Sequence, residues 1–219
     1  MKRKKKENVL VFCAHPDDHI FGPGATLARY ARLGMNIYTY IFSYGEASLA
    51  WLKKKIAVEK RMNEVKKADR IIGGKGIFFF GLKDRKCEEG IKKDKLIPKM
   101  KKIISKRRPS KIFTHSSMDP HPDHRAINKA ILEAVDKSRL KCDVYAFEEI
   151  WSPIRFGKRN MPTMYVDVSD TFRIKIEAIK AFESQKATII TLIWNVYAKA
   201  FMHGKHIHAR WAERFYKLR

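Results

Sequence analysis

Cysteine is scarce: Cys13, Cys87 and Cys142 are the only three, odd in number and widely separated. Neither a disulfide framework nor a C-x-x-C zinc ribbon fits that spacing, and a reducing compartment does. Acidic residues are few as well, 23 against 47 Lys plus Arg, which leaves a formal net charge of +24 and excludes an acidic, halophile-type surface. Long apolar runs are also missing. The opening Met-Lys-Arg-Lys-Lys-Lys is followed by a run of only six, Val9–Ala14, before His15 and Pro16, which predicts no export signal. The uncharged stretch Ala187–Ala198 is about half of the ~20 residues that span a bilayer. The expectation is a soluble, at most peripheral, cytoplasmic protein.

What remains suffices for a core. At 219 residues with 45% hydrophobic and 11% aromatic content, the chain has the size of one globular domain and too much apolar surface for a disordered basic tail. A single domain over 1–219 is expected, with 1–7 as a basic N-terminal tail. Val9–Ala14 reads as a strand that stops at a polar His-Pro-Asp-Asp, and Ala25–Leu33 as a helix behind Gly22 and Gly24. The alternation continues with strands at Asn36–Ser43, Ile77–Phe80, Lys111–His115 and Val144–Glu148. Helices fall at Leu49–Ile72, Lys95–Lys106 and Ala126–Val135. After Glu148 come an added strand at Met164–Val168, a helix capped by Ser169 and running to about Ser184, and another over Ile189–Ala200. Gly157–Pro162 is the most linker-like stretch. Strands alternating with helices predict a Rossmann-like, doubly wound, mainly parallel α/β sheet with helices on both faces and ligands beyond the carboxyl ends of its strands.

His15, Asp17 and Asp18 follow the first strand, and His121, Asp123 and His124 follow the fourth. In a doubly wound sheet these two strands are neighbours, so the clusters meet in one crevice. His15, Asp18 and His124 suit a divalent metal held by three protein groups with a position left open. Zinc, iron and cobalt all accept such ligands. Such a metal acidifies water, leaving Asp17 to take its proton and His121, as imidazolium, to steady an oxyanion and protonate a leaving nitrogen. His115 reads as a core histidine or a group behind the ligands. His203, His206 and His208 read as a solvated face.

The motifs Ala14-His15-Pro16-Asp17-Asp18, with Gly22 and Gly24, and Asp119-Pro120-His121-Pro122-Asp123-His124-Arg125 resemble those of the zinc-dependent N-acetylglucosaminyl deacetylases of the PIG-L or LmbE-like type. Weaker echoes are Gly45-Glu46, Arg61 with Glu64, Gly81 with Asp84, Ser184-Gln185 and Ala212-Glu213-Arg214-Phe215. The resemblance implies removal of an N-acetyl group from an N-acetylglucosamine-type amino sugar or its conjugate. It implies His15, Asp18 and His124 as Zn²⁺ ligands, Asp17 as base, His121 as its electrostatic or acid partner, and Arg61 and Asp84 as sugar contacts. Asp123 is expected behind the ligands. Arg61 equally fits an exposed helix charge beside Glu64. One departure stands out: the residue after the two aspartates, usually glutamate in that family, is His19 here.

Two other classes compete. The +24 charge and runs such as Lys53–Lys55 and Lys99–Lys102 fit a nucleic-acid-binding protein, but the charge is spread along the chain and no nucleic-acid motif accompanies it. A catalytically silent relative kept for a protein interaction would have lost a ligand or the base, and none is lost. The charge also fits an amino sugar on an anionic carrier, through electrostatic steering. Trp194, Tyr197, Phe201 and Trp211 form an aromatic segment that fits either core packing or a membrane surface.

Overall fold

In the computed structural model, which describes residues 6–49, 51–148 and 161–219, strand β1 (Asn8–Cys13) runs through the middle of a seven-stranded sheet. Five of its six residues, Val9 to Cys13, alternate between two apolar layers. Val9, Val11 and Cys13 face one layer, and Leu10 and Phe12 the other, all without solvent exposure. A strand buried on both faces has no use for polar alternation, which explains the continuous apolar run.

The other strands are β2 (Asn36–Ser43), β3 (Gly76–Leu82), β4 (Lys111–Thr114), β5 (Asp143–Phe147), β6 (Thr163–Asp167) and β7 (Ala212–Lys217), in the order β3-β2-β1-β4-β5-β7-β6. The first five positions are parallel; β7 pairs antiparallel with both β5 and β6. Helices α1 (Asp18–Phe21), α2 (Gly24–Arg32), α3 (Lys54–Ile72), α7 (Phe172–Lys180) and α8 (Lys186–Lys205) cover one face. The other is covered by α4 (Cys87–Lys93), α5 (Leu96–Arg107) and α6 (Pro122–Ser138). The doubly wound expectation holds: strands are added toward one edge from β1 to β3 and toward the other from β4, so the winding switches between β1 and β4. No helix among the described residues is long and apolar enough to cross a membrane.

Three expectations shift. The helix expected from Leu49 starts at Lys54, because Ala47 N–H donates to Asp84 and Ser48 Oγ donates to the Gly45 carbonyl, which holds Glu46–Leu49 in a 3₁₀ turn. Ser169 caps nothing: it bonds Asp167, and α7 begins after Thr171, whose hydroxyl reaches the Ala25 carbonyl. The same helix ends early, because Glu64 pins Ser184 through its N–H at 2.7 Å and its hydroxyl at 2.6 Å. Residues 1–5 of the expected tail and most of the linker-like 157–162 lie outside the described residues.

A metal-type centre at the sheet switch point

Strand pairing places the site. β1 and β4 are adjacent and parallel, so the loops leaving them open into one crevice. The first loop carries His15–Asp18. The second ends at His121, which caps α6: its Nδ1 accepts the Asp123 N–H at 3.2 Å, and Pro122 sits where a helix tolerates proline. Across a sequence separation of 109, His124 Nε2 comes to 3.3 Å from His15 Nδ1.

Donor chemistry decides whether these groups fit a metal. His15 Nδ1 lies 3.5 Å and His124 Nε2 3.7 Å from Asp18 Oδ2, which completes a triangle with the 3.3 Å histidine pair. Atoms about 2.0–2.2 Å from one tetrahedral ion sit roughly 3.3–3.6 Å apart, so the triangle has the right size. The protons are arranged to suit. Asp119 Oδ2 lies 2.8 Å from His124 Nδ1, and Asp84 Oδ1 lies 3.1 Å from His15 Nε2, so each carboxylate holds a proton on the outer ring nitrogen. Both inner nitrogens then turn lone pairs toward the same point as Asp18. Burial disfavours a charged His15, yet Asp18, Asp123 and Asp84 outweigh it and raise its pKa. Burial likewise opposes ionisation of Asp18, but His124, His115 and His15 pull its pKa well down. His15, Asp18 and His124 therefore fit a divalent cation.

The triangle lines a pocket of ≈ 310 Å³, within the range of small-molecule sites. Asp17 lines the same pocket and accepts a hydrogen bond from Arg61 Nη2 at 3.1 Å. Arg61 is 1% exposed and lies over the Phe182 ring, so it is not a surface helix charge, and Glu64 is engaged with Ser184. Its passage depends on Gly45, whose φ is +65° and where a Cβ would meet Pro16 at 3.0 Å and Arg61 Nη2 at 3.1 Å. His121 Nδ1 is spent on the helix cap, which leaves Nε2 as its donor. Burial and the neighbouring His124 and His15 lower its pKa. A neutral His121 donating from Nε2 suits this geometry better than the expected imidazolium.

The expected residues converge, in places with different partners. Asp84 steadies His15 as well as lining the pocket. Asp123 accepts the N–H groups of Arg85 and Cys87 at 2.8 and 3.0 Å and stays 3.8 Å from His15, so it ties the segment after β3 to α6. Asp119, beside His124, was marked only as part of a motif. His115 is buried against the site: its ring stacks on His124 with centroids 3.8 Å apart, and its Nε2 accepts the Ala14 N–H at 2.9 Å. His19 is fully buried, burial pushes its pKa down to about 4, and neither ring nitrogen has a partner among the described residues. It is a neutral core group where a carboxylate would stand. His203 departs from the expected solvated face, being buried with Nε2 2.7 Å from Glu148. Gln185, Thr188, Leu192 and Phe147 complete the pocket wall. Gln185 belongs to one of the weaker echoes, and the other three carried no motif.

Residues 10–135, more than half of the chain, match the family described as PIG-L: GlcNAc-PI de-N-acetylase. The chain belongs to this family. It is 26% identical to the diacetylchitobiose deacetylase of Thermococcus kodakarensis, over 94% of this chain and 81% of that protein. Its fold superimposes on the N,N'-diacetylchitobiose deacetylase of Pyrococcus horikoshii with a TM-score of 0.81 at 20% identity, covering 98% of this chain and 84% of the other. It also superimposes on GalB, the 4-carboxy-2-hydroxymuconate hydratase of Pseudomonas putida, with a TM-score of 0.77 at 20% identity, covering 97% and 96%. One fold thus carries two reaction classes, and the site has to argue the chemistry.

Proposed function

We propose that this PIG-L family protein is a metal-dependent amide hydrolase that removes the N-acetyl group from an N-acetylglucosamine-type amino sugar or a conjugate of it. The observation that carries the reading is the convergence of His15 Nδ1, His124 Nε2 and Asp18 Oδ2 in a pocket that Asp17 and His121 also line. Family membership and the deacetylase named in Thermococcus kodakarensis support it.

His15, Asp18 and His124 would hold the ion, which we assign as Zn²⁺. When bound, it polarises the acyl carbonyl and acidifies water. Asp17, oriented by Arg61, accepts the proton as the water oxygen forms its bond to the carbonyl carbon. His121 donates from Nε2 to the oxygen that gathers negative charge. When the C–N bond breaks, the proton held on Asp17 passes to the departing nitrogen, so one water and one amide yield acetic acid and an amine, which leave as acetate and ammonium once the acid proton passes to the amine. Asp84 and Asp119 keep the two histidines in the ligating tautomer.

The test is acetate release from N-acetylglucosamine, its disaccharide, and nucleotide-linked and phosphoinositol-linked forms, using metal-loaded protein. Release from at least one, abolished in Asp17→Asn, is expected. No acetate from any member would remove the reading.

A further inference from the structure

Helix α8 carries an exposed apolar face, met at one edge by the Phe172 and Trp211 rings, which touch Tyr197 and Phe201. Leu192, Val196, Ala200 and His203 turn into the fold. At the complementary helical spacing, Ile190 is 67%, Trp194 75%, Tyr197 37% and Phe201 50% exposed, with Met202 beside them at 42%. A surface helix ordinarily places charges on that side. The aromatic segment is thus divided: Trp211 stacks on Phe172 with centroids 4.6 Å apart and meets the half-exposed Phe201 at its edge, whereas Trp194 stands in solvent.

The charge along this segment has one sign. From Lys186 to Ala212 there is no Asp or Glu, while Lys186 and Lys205 mark the two ends of the helix and Arg210 follows it, in a chain of net charge +24; Lys199 turns the other way, toward Glu148. Lys205 Nζ lies over the Phe201 ring at 4.7 Å, so a cation borders the exposed aromatics. A second copy is a poor occupant. Antiparallel α8 helices would set Lys186 against Lys205, parallel ones would set each lysine against its twin, and the helix offers no carboxylate to offset either. An anionic bilayer provides both requirements at once, apolar depth for Trp, Ile and Phe and negative headgroups for the lysines.

We propose that the exposed face of α8 docks on an anionic lipid surface, lying in the interface without crossing it. The docking is independent of the reaction assigned to the pocket. Thr188 and Leu192 of the same helix line that pocket, so a docked α8 holds the pocket beside the headgroups.

The experiment is flotation of the full chain with vesicles of phosphatidylcholine alone and of phosphatidylcholine mixed equally with phosphatidylglycerol, alongside sedimentation velocity without lipid. The expected result is flotation with the anionic vesicles only, weakened by salt. The partition coefficient should fall at least about tenfold in Trp194→Ser, Phe201→Ser protein, since binding scales with the apolar area inserted. Lys186→Glu, Lys205→Glu protein, which keeps the aromatics, should show the same loss; circular dichroism checks that both variants stay folded. Absence of flotation at low salt, or equal flotation of wild type and the serine variant, overturns the proposal. So does a wild-type oligomer that fails to float and that the serine changes break into monomers, which would assign the face to a second copy.

Discussion

Asp119→Asn tests how the carboxylates behind the histidines tune the site. Asp119 is 4% exposed and uses both oxygens: Oδ1 accepts the His121 N–H at 2.8 Å, and Oδ2 lies 2.8 Å from His124 Nδ1. Asparagine has one acceptor and one donor to cover two positions that both need acceptors. If the amide oxygen keeps the His121 N–H, the NH₂ faces His124 and drives its proton to Nε2, the nitrogen that must ligate. If the amide flips, His124 keeps its tautomer but the His121 N–H faces another donor at the start of α6. Loss of such an outer partner typically weakens metal binding 10- to 100-fold, about 1.4–2.7 kcal/mol. Zinc affinity measured by chelator competition should fall by that amount, with the melting temperature of the metal-free protein changing far less. Asp119→Asn protein that binds zinc like wild type would refute the tautomer argument, however much activity it had lost.

Asp17→Asn is expected to retain metal and lose about 10²–10⁴ in kcat, read from acetate release at saturating substrate, because an amide cannot take the water proton. His121→Ala should also keep its metal, and its loss should appear in kcat more than in KM, because the donor acts on charge that develops in the transition state. Glu213→Gln should cost about 3–5 kcal/mol in urea denaturation. Glu213 pairs with buried Lys175 at 2.7 Å and accepts the N–H groups of Ala25 and Thr26 at the start of α2, so glutamine leaves a buried ammonium without its counter-charge. Burial raises the Asp69 pKa from 3.8 to about 7, so the folded state binds this proton more tightly than the unfolded chain. Its cost to stability is absent below about pH 4 and grows as pH rises to about 7, reaching about 4 kcal/mol at ~1.4 kcal/mol per pKa unit. Asp69→Asn should therefore raise the melting temperature at pH 8 and leave it unchanged at pH 4.

The sheet was legible because β1, β2, β4 and β5 are short, apolar and β-branched, with turn residues at their ends. The convergence of His15, Asp17, Asp18, His121 and His124 was legible because two polar tetrapeptides fall at the carboxyl ends of strands that the winding makes neighbours. Other features were hidden for identifiable reasons. β7 alternates poorly, with Glu213 buried beside Phe215, because its glutamate serves α2 and Lys175 from inside the fold. α1 and α4, of 4 and 7 residues, are too short to show a helical period. Asp84 acts on His15, 69 residues away, and Asp119 on His124 in the first turn of the helix that follows it, and no local spacing reports which carboxylate will face which ring nitrogen. Arg61 fitted a helix charge as well as a sugar contact because its burial depends on Gly45 and Phe182, brought to it by the fold.

The most direct test of the central claim is a titration of chelator-stripped protein with zinc, followed by acetate release from an N-acetylated amino sugar that the loaded protein turns over. Activity should be absent at the start, rise in proportion to added metal, and level off near ~1 equivalent per chain, as a single three-ligand site requires. Full acetate release by the stripped protein, or a rise that His15→Ala, His124→Ala protein reproduces unchanged, would contradict it.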